Sequence, residues 1–295
     1  MGYFFKKDET VSDGIRRLTT DRIDSAIAAL GAEGEAAAQG VHDARKRCKQ
    51  VRALLRLTKD QLGSAYAEEN MRFRDYGRQL SGARDAQVLL ETLDKLGGGT
   101  SALRGIEEVR EILARRRDEL AAGSVTAQAR AALAEQLRAD RARIADWPLR
   151  SDHFDAIRPG LERVYRRGRC AMKRAYRDGT DAAFHEWRKQ VKYHWYHVRL
   201  LAPAWPAPLE ARAAELKRLS DCLGDDHDLA LLRATLGAQP EEFGGRARLR
   251  APLRAAAKRQ RLLRADARDL GRRLYAERAG EFGARMAAYW TAWRR

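Results

Sequence analysis

The chain has 295 residues, with 58 Lys or Arg against 41 Asp or Glu, and its formal net charge of +17 at pH 7 predicts an anionic partner such as nucleic acid, an acidic membrane surface or an inorganic polyanion. Its three cysteines, Cys48, Cys170 and Cys222, lack the spacing of a disulfide framework or zinc site, which fits a reducing cytoplasm. Because the sequence shows no signal-peptide pattern and no run of about 18 uncharged apolar residues, we expect a protein that is neither exported nor bound in a membrane.

Apolar residues recur at three- and four-residue spacings along almost the whole chain, which predicts an all-α fold. Turn-forming residues cut each half into about four helices: a leading helix, a helix that begins near a histidine, a third helix and a long fourth helix. The predicted breaks lie at residues 31–40, 63–64, 97–99, 123–124, 147–148, 178–180, 203–208 and 237–245. One more amphipathic helix is predicted over residues 280–293, and Pro252 indicates a kink or a late start in the last long helix.

We therefore expect two four-helix bundles that pack side by side. The first half is predicted to span residues 8–147 and the second residues 148–295, with the boundary near residues 146–152. Together the two halves would form one domain.

A repeated motif supports this division. The pattern H-x-x-R-K-x-x-K begins at His42 and again at His185, an offset of 143 residues. Without a gap, the same offset pairs Arg56 with Arg199 and several leucines of one half with leucines of the other. The repeat predicts an internal duplication that copied a histidine and its neighbouring cations.

One face of each histidine helix is basic. At 100° per residue, six side chains of the first helix fall within an arc of about 120°, opposite an apolar face. They are His42, Arg45, Lys46, Lys49, Arg52 and Arg56, and their counterparts in the second helix are His185, Arg188, Lys189, Lys192 and Arg199.

Uncompensated like charges four residues apart destabilise an isolated helix by ~0.2–0.5 kcal/mol per pair, so a bound anion would relieve a repulsion that both copies retain. A solvated cationic face is the alternative. A face that served only solubility would more easily have exchanged a lysine for a glutamate in one copy, and we therefore interpret both faces as anion-binding.

These motifs resemble those of the CHAD family, the conserved-histidine α-helical domains. The resemblance covers both histidine helices and a third-helix signature, approximately L-G-x-x-R-D in the family, which here begins at Leu80 (LSGARD) and at Leu223 (LGDDHD). It implies two four-helix bundles related by a pseudo-twofold axis, with inorganic polyphosphate held in a basic groove or pore between them. It also implies a cytoplasmic protein at polyphosphate granules. We expect a non-catalytic protein without a cofactor or metal.

The two copies differ at several positions. Trp195 and Tyr196 stand where the first copy has Arg52 and Ala53. We interpret these aromatic residues as packing in the groove, and a stacking platform for bases is the alternative. Asp85 and Asp228, at the end of the third-helix motif, are expected to be structural residues that each orient a neighbouring Arg or His.

Six further residues are secondary candidates for contacting the anion: Arg16, Arg158, Arg84, His227, Arg246 and Arg250. The histidines carry a separate expectation. Surrounding cations should disfavour the charged form of a histidine in the empty site, and a bound phosphate should favour it. Acidic pH is therefore expected to tighten binding.

Two other functions remain open. Phosphate contacts alone would give sequence-independent binding of nucleic acid, although the chain has no helix-turn-helix spacing, zinc finger or RNP-like aromatic pair. The run from Asp225 to Asp228, with His185, His194 and His197, suggests a metal-dependent HD-type phosphohydrolase. His194 and His197 occupy the positions of two apolar residues of the first copy, however, so we expect them in the core.

Overall fold

The computed structural model describes residues 2–34, 36–80, 84–97, 106–122 and 125–295, without the side chains of residues 84, 85 and 120–122. These residues form α-helices joined by short 3₁₀ turns and loops, with no strand in the described part of the chain, which confirms the all-α prediction. The helices are α1 (Val11–Leu30), α2 (Ala36–Leu57), the single turn α3 (Lys59–Leu62), α4 (Ala65–Gln79), α5 (Arg84–Gly97), α6 (Ile106–Ala122), α7 (Ala127–Arg143), α8 (Arg158–Asp178), α9 (Asp181–Leu201), α10 (Pro206–Ala238), α11 (Arg246–Leu274) and α12 (Ala279–Arg294).

Most helix ends lie at the predicted breaks, and the predicted terminal helix is α12. Two features differ from the sequence-based expectation. The third helix of the first half is divided, since α4 ends at Gln79 and α5 begins at Arg84, whereas α10 is continuous. Of the two alternatives at Pro252, a kink or a late helix start, the late start is wrong, because α11 begins at Arg246 and contains the proline. A proline removes one hydrogen-bond donor, and the long packed surface of α11 against α10 outweighs that loss.

A single buried cluster extends through both parts of the chain. In the first part, α2 packs against α1 and α4, and α7 packs against α1. In the second part, α9 packs between α8 and α10, while α12 covers α8. The cluster runs from Leu54 and Phe73 in the first part to Trp187 and Phe282 in the second, all at most 1% exposed. The two parts therefore share one core.

The helices α5 and α6 pack on the second part of the chain. Their buried residues join a cluster with residues of α10, α11 and the turn between them: Leu90, Leu93, Val109, Leu113, Leu232, Leu236, Phe243 and Leu249. Ion pairs surround this cluster. Lys95 Nζ lies 3.3 Å from Asp225 Oδ1, and Arg248 pairs with Glu108. Apolar burial and charge pairing thus hold α5 and α6 in place.

Close contacts fix α2 against α8 and α9. A Cβ atom at Gly160 of α8 would overlap the carbonyl oxygen of Leu57, so only glycine allows this approach. On α9, the Nε2 atom of His197 lies 2.8 Å from the carbonyl oxygen of Ala53. These contacts bring the two helices that carry the repeated motif together. Among the described helices, none combines the length and apolar character that a membrane span requires.

Candidate anion-binding site

Local sequence determines where the second histidine helix begins. Gly179 adopts a positive φ of 67° at the end of α8, and the Thr180 hydroxyl accepts a hydrogen bond from the backbone N–H of Ala183 at 3.3 Å. This cap starts α9 at Asp181 and places His185 in its second turn. On α2, the face opposite the cations is buried: Ala44, Cys48, Val51 and Leu55 are each at most 2% exposed. The basic residues therefore lie on the remaining face.

The fold brings cations of α2 and α9 close enough to influence each other. Burial lowers the pKa of Arg188, Asp228 opposes that effect, and the positive charge of Arg45 on α2 lowers the pKa further. Burial also lowers the pKa of His185, and the charges of Lys189, Arg188 and, across the helix pair, Lys49 add to this effect. Residues that the sequence predicted from two separate copies therefore lie within electrostatic range of one another.

We call Arg45, Lys49, His185, Arg188 and Lys192 the central basic cluster. All five side chains are partly buried. Burial lowers the pKa of Lys192 to about 8, and the charge of Arg188 contributes in the same direction. Cations held this close at partial burial repel one another, so the cluster has a strong electrostatic preference for an anion.

Several of these cations have unused bonding capacity. In the described residues, Arg45, Lys46, Arg188 and Lys192 form no ion pair within 4.0 Å of a carboxylate. The Nε atom of Arg188 and the Nδ1 atom of His185 are also buried without a hydrogen-bond partner there. Buried polar atoms in native proteins are usually paired, and an unpaired one costs about 1–3 kcal/mol. The Nε atom of Arg188 therefore has donor capacity that no described residue uses.

The outer cations of the two faces already have partners. Arg56 donates a hydrogen bond to the Tyr66 hydroxyl at 2.9 Å and lies over the ring of Tyr193. Arg52 donates to the Asn70 side-chain oxygen at 3.3 Å, and Lys189 pairs with Glu186. Arg199 lies over the Trp195 ring, 4.9 Å from its centroid. His42 is partly buried on the basic face of α2.

The third-helix motif of the second half contacts the central basic cluster. A Cβ atom at Gly224 would lie 3.4 Å from Nε of Arg188, so the guanidinium rests against the backbone of α10. The rings of His227 and His185 stack with their centroids 4.0 Å apart. Asp228 raises the pKa of Arg188 against the dominant effect of burial. This motif thus positions a cation and a histidine of α9.

Both histidines of this pair have lowered pKa values. Burial, followed by the charges of His185 and Arg188, lowers the pKa of His227 to about 4. The pKa of His185 is lowered as well, against the opposing charge of Glu186. Both lowered pKa values agree with the sequence-based expectation that surrounding cations disfavour the charged form of a histidine here.

Two of the secondary candidates are engaged in contacts with residues outside the central basic cluster. Arg16 donates a hydrogen bond to the carbonyl oxygen of Trp147 at 3.0 Å, and Arg158 pairs with Glu162 at 2.9 Å. Arg246 and Arg250 are exposed on the first turns of α11. The side chains of Arg84 and Asp85 lie outside the described residues.

The other histidines of the second histidine helix lie in the core, as predicted. His194 and His197 are each 0% exposed, and His194 is enclosed by the rings of Tyr165, Tyr275 and Phe282 at centroid distances of 5.2–5.4 Å. In the described part of the chain, no three His, Cys, Asp or Glu side chains form a group that could hold a metal ion.

Sequence reasoning missed two contributors to the site. Gly224 belongs to the predicted third-helix motif, but its contact with Arg188 was missed, because the spacing within α10 does not reveal what packs on it. Lys217, on the same face of α10, lowers the pKa of Lys192, after the larger effects of burial, of Arg188 and, in the opposite direction, of Asp221. Its position seven residues before Gly224 on the same helix was the available signal.

Comparisons with known proteins agree on the fold. The family model described as CHAD domain matches residues 21–237. Among solved structures, the chain is similar to the CHAD domain from the plant Ricinus communis, with a TM-score of 0.62 and 18% sequence identity, over 94% of this chain and 95% of that one. No curated protein sequence matches the chain.

Proposed function

The chain belongs to the CHAD family, and from this premise we propose that it binds inorganic polyphosphate along the central basic cluster without catalysing a reaction on it. One observation carries the proposal. Arg45 and Lys49 of α2 lie close enough to Arg188 and His185 of α9 to shift their pKa values, and Arg45 and Arg188 have no carboxylate within 4.0 Å among the described residues.

The chemistry of the cluster suits a linear polyanion. Polyphosphate carries roughly one negative charge per phosphate and has no base edges to be read. Arginine offers a planar fork of donors to phosphate oxygens, and lysine offers a compact charge that tolerates several geometries. Binding would release counterions and relieve the repulsion within the cluster. Ligand specificity would then arise from the spacing of the cations.

We also propose that the two parts of the chain, residues 8–147 and 148–295, are duplicated four-helix bundles related by a pseudo-twofold axis, with a basic groove between them. The motif offset of 143 residues supports this. So does the order of contacts, since α1 packs on both α2 and α7 in the first part while α8 packs on both α9 and α12 in the second. The divided pair α4 and α5 would correspond to the continuous α10.

The location of such a protein follows from its ligand. On this proposal the chain lies in the cytoplasm at polyphosphate granules, where long polyphosphate chains accumulate. The cations of the central basic cluster would attach the protein to the granule surface. Fluorescence microscopy of the tagged chain, in cells with and without polyphosphate, tests this location.

A titration with polyphosphate of defined length tests the binding proposal. The variants are Arg45→Glu/Lys49→Glu on α2 and Arg188→Glu/Lys192→Glu on α9, and each should weaken binding by at least about tenfold. The matched control is Arg272→Glu/Arg273→Glu, which makes the same charge change at exposed positions near the end of α11.

The control separates specific from general attraction. We expect it to change affinity by no more than about threefold, through the long-range field alone. Equal losses of affinity in all three variants would show that binding depends only on the net charge of the chain, and would contradict the proposal. A loss confined to one of the two test variants would contradict binding between the helices. Release of phosphate during the titration would contradict the non-catalytic role.

A further inference from the structure

An open cleft of about 370 Å³ lies at the end of α9. Its walls include Phe4 of the N-terminal segment, Trp195 and Arg199 of α9, and Glu210 and Lys217 of α10. Clefts that hold small ligands typically measure roughly 300–1,000 Å³. The aromatic and charged residues together distinguish this cleft from the basic cluster, which has no aromatic side chain apart from its histidine.

The backbone that carries the exposed ring of Phe4 is anchored by its neighbours. The Tyr3 hydroxyl donates a hydrogen bond to the carbonyl oxygen of Gln50 at 3.1 Å, and the backbone N–H of Phe5 donates to the carbonyl oxygen of Leu200 at 3.1 Å. Arg17 Nη2 donates to the carbonyl oxygen of Phe4 at 3.0 Å. Phe5 is fully buried, yet 44% of Phe4 remains exposed. A water-exposed ring on an anchored backbone at a cleft offers a surface for a planar ligand.

Trp195 supplies a second aromatic surface in the same cleft. The sequence placed it where the first copy has a cation, and it is partly exposed at this position. The guanidinium of Arg199 lies 4.9 Å from its ring centroid and 6.0 Å from that of Tyr3. A bare phosphate chain gains little from such rings, whereas every nucleobase has a π face that stacks on them.

Charge connects the cleft to the central basic cluster. Lys217 lines the cleft, pairs with Asp221, and lies close enough to Lys192 to lower its pKa, after the larger effects of burial, of Arg188 and, in the opposite direction, of Asp221. Lys192 in turn adjoins Arg188. Cations therefore continue from the cleft into the cluster. Glu210, by contrast, disfavours phosphate at its own position and can accept hydrogen bonds from ribose hydroxyls or a base amino group.

We propose that the cleft binds the nucleoside end of a nucleoside polyphosphate, with the base on Trp195 and Phe4 and the phosphates on Lys217, Lys192 and Arg188. This inference rests on the proposed function, because the phosphates would occupy the central basic cluster. It adds a ligand class that a continuous row of cations would not select. Selectivity for a nucleoside polyphosphate over inorganic polyphosphate would come from stacking of the base, since both ligands would make the same phosphate contacts.

Two ligands with three phosphates each test this proposal: ATP and inorganic tripolyphosphate, both without added metal. Competition against a fluorescent polyphosphate reports the affinity of each. The wild-type chain is expected to bind ATP about tenfold more tightly than tripolyphosphate, within the range that one stacked base provides. Trp195→Ala and Phe4→Ala should each reduce this preference toward one and leave the tripolyphosphate affinity unchanged.

The matched control is Trp205→Ala, which removes an exposed tryptophan that packs edge-on against Tyr289 and does not line the cleft. It should keep the full ATP preference. Equal affinities of the wild-type chain for ATP and tripolyphosphate would overturn the inference and leave polyphosphate binding standing. Loss of both affinities in Trp195→Ala, with Phe4→Ala unchanged, would assign Trp195 a structural role and also overturn it. Failure of the wild-type chain to bind even long polyphosphate would instead overturn the proposed function.

Discussion

The imidazole of His227 on α10 lies against that of His185 on α9, with ring centroids 4.0 Å apart and ring planes tilted by 33°. The pair adjoins Arg188, whose positive charge lowers both pKa values after burial has done so. Both lowered pKa values disfavour protonation of the rings. A bound anion would reverse that preference, because its negative charge favours the imidazolium form.

Polyphosphate binding is therefore expected to tighten as the pH falls from 8 to 6. The pKa values of the histidines are low in the free protein and higher in the complex, so binding takes up protons over the interval between them, and affinity rises as the pH falls through it. His185→Gln/His227→Gln should bind with a nearly flat pH profile. Isothermal titration in two buffers of different ionisation enthalpy measures the proton uptake directly. A flat profile for the wild-type chain would remove the histidines from the mechanism.

Acidic pH is expected to destabilise the folded chain through the core histidines. Burial lowers the pKa of His197 from 6.5 to about 4, and that of His194 falls well below 6.5. Above pH 6.5 both are neutral in the folded and unfolded chain. As the pH falls below 6.5, the unfolded chain takes up protons first, so the free energy of unfolding decreases until the pH reaches the folded-state pKa.

For His197 the expected loss between pH 6.5 and 4 is on the order of 3 kcal/mol. Urea denaturation of His197→Gln at several pH values checks this, because the variant should show a shallower decrease than the wild type over that interval. His153→Gln, which changes an exposed histidine, is the control and should follow the wild-type profile. Identical slopes for His197→Gln and the wild type would be evidence against the buried neutral state.

Gly160→Ala should destabilise the chain, because the added methyl group would overlap the carbonyl oxygen of Leu57 and separate α8 from α2. Overpacking of this kind costs about 1–3 kcal/mol. Gly237→Ala, at a helical position with no atom within 4 Å of the added carbon, should be neutral or stabilising by up to about 1 kcal/mol. Chemical denaturation compares the two variants. Equal stability would show that the helices can move apart freely.

Double-stranded DNA is expected to displace long-chain polyphosphate poorly at equal phosphate concentration and moderate salt. Arg188 and Lys192 are partly buried, so a flexible single chain reaches them more readily than a rigid duplex. Both ligands should weaken as salt increases, since each releases counterions. Fluorescence competition over a salt series measures the ratio of affinities. Efficient displacement by DNA would favour the nucleic-acid function instead.

Local pattern allowed a good part of the fold to be predicted. The spacing of apolar residues in α2 separates its basic face from the buried Ala44, Cys48 and Leu55, and the same reasoning placed His194 and His197 in the core. Helix ends at glycine, proline and capping residues also follow from sequence. Such features depend on neighbours within one or two turns of helix.

Contacts between distant segments could not be predicted in this way. The contact of Arg188 with Gly224 and the aromatic cleft beside Trp195 depend on how α9 packs against α10 and the N-terminal segment. The division between α4 and α5 has no counterpart in the continuous α10, although the repeat aligns the two regions without a gap. The spacing of apolar residues describes one helix at a time, so it does not reveal which other segments pack against that helix.

The packing of α5 and α6 has a consequence for biosynthesis. Leu93 and Leu113 leave the ribosome long before Leu236 and Leu249, the residues that cover them in the finished protein. At roughly 5–20 residues per second, translation leaves this apolar surface uncovered for on the order of ten seconds. Nascent chains would therefore need a chaperone or a temporary partner during that interval, and slow codons between the two segments should increase aggregation.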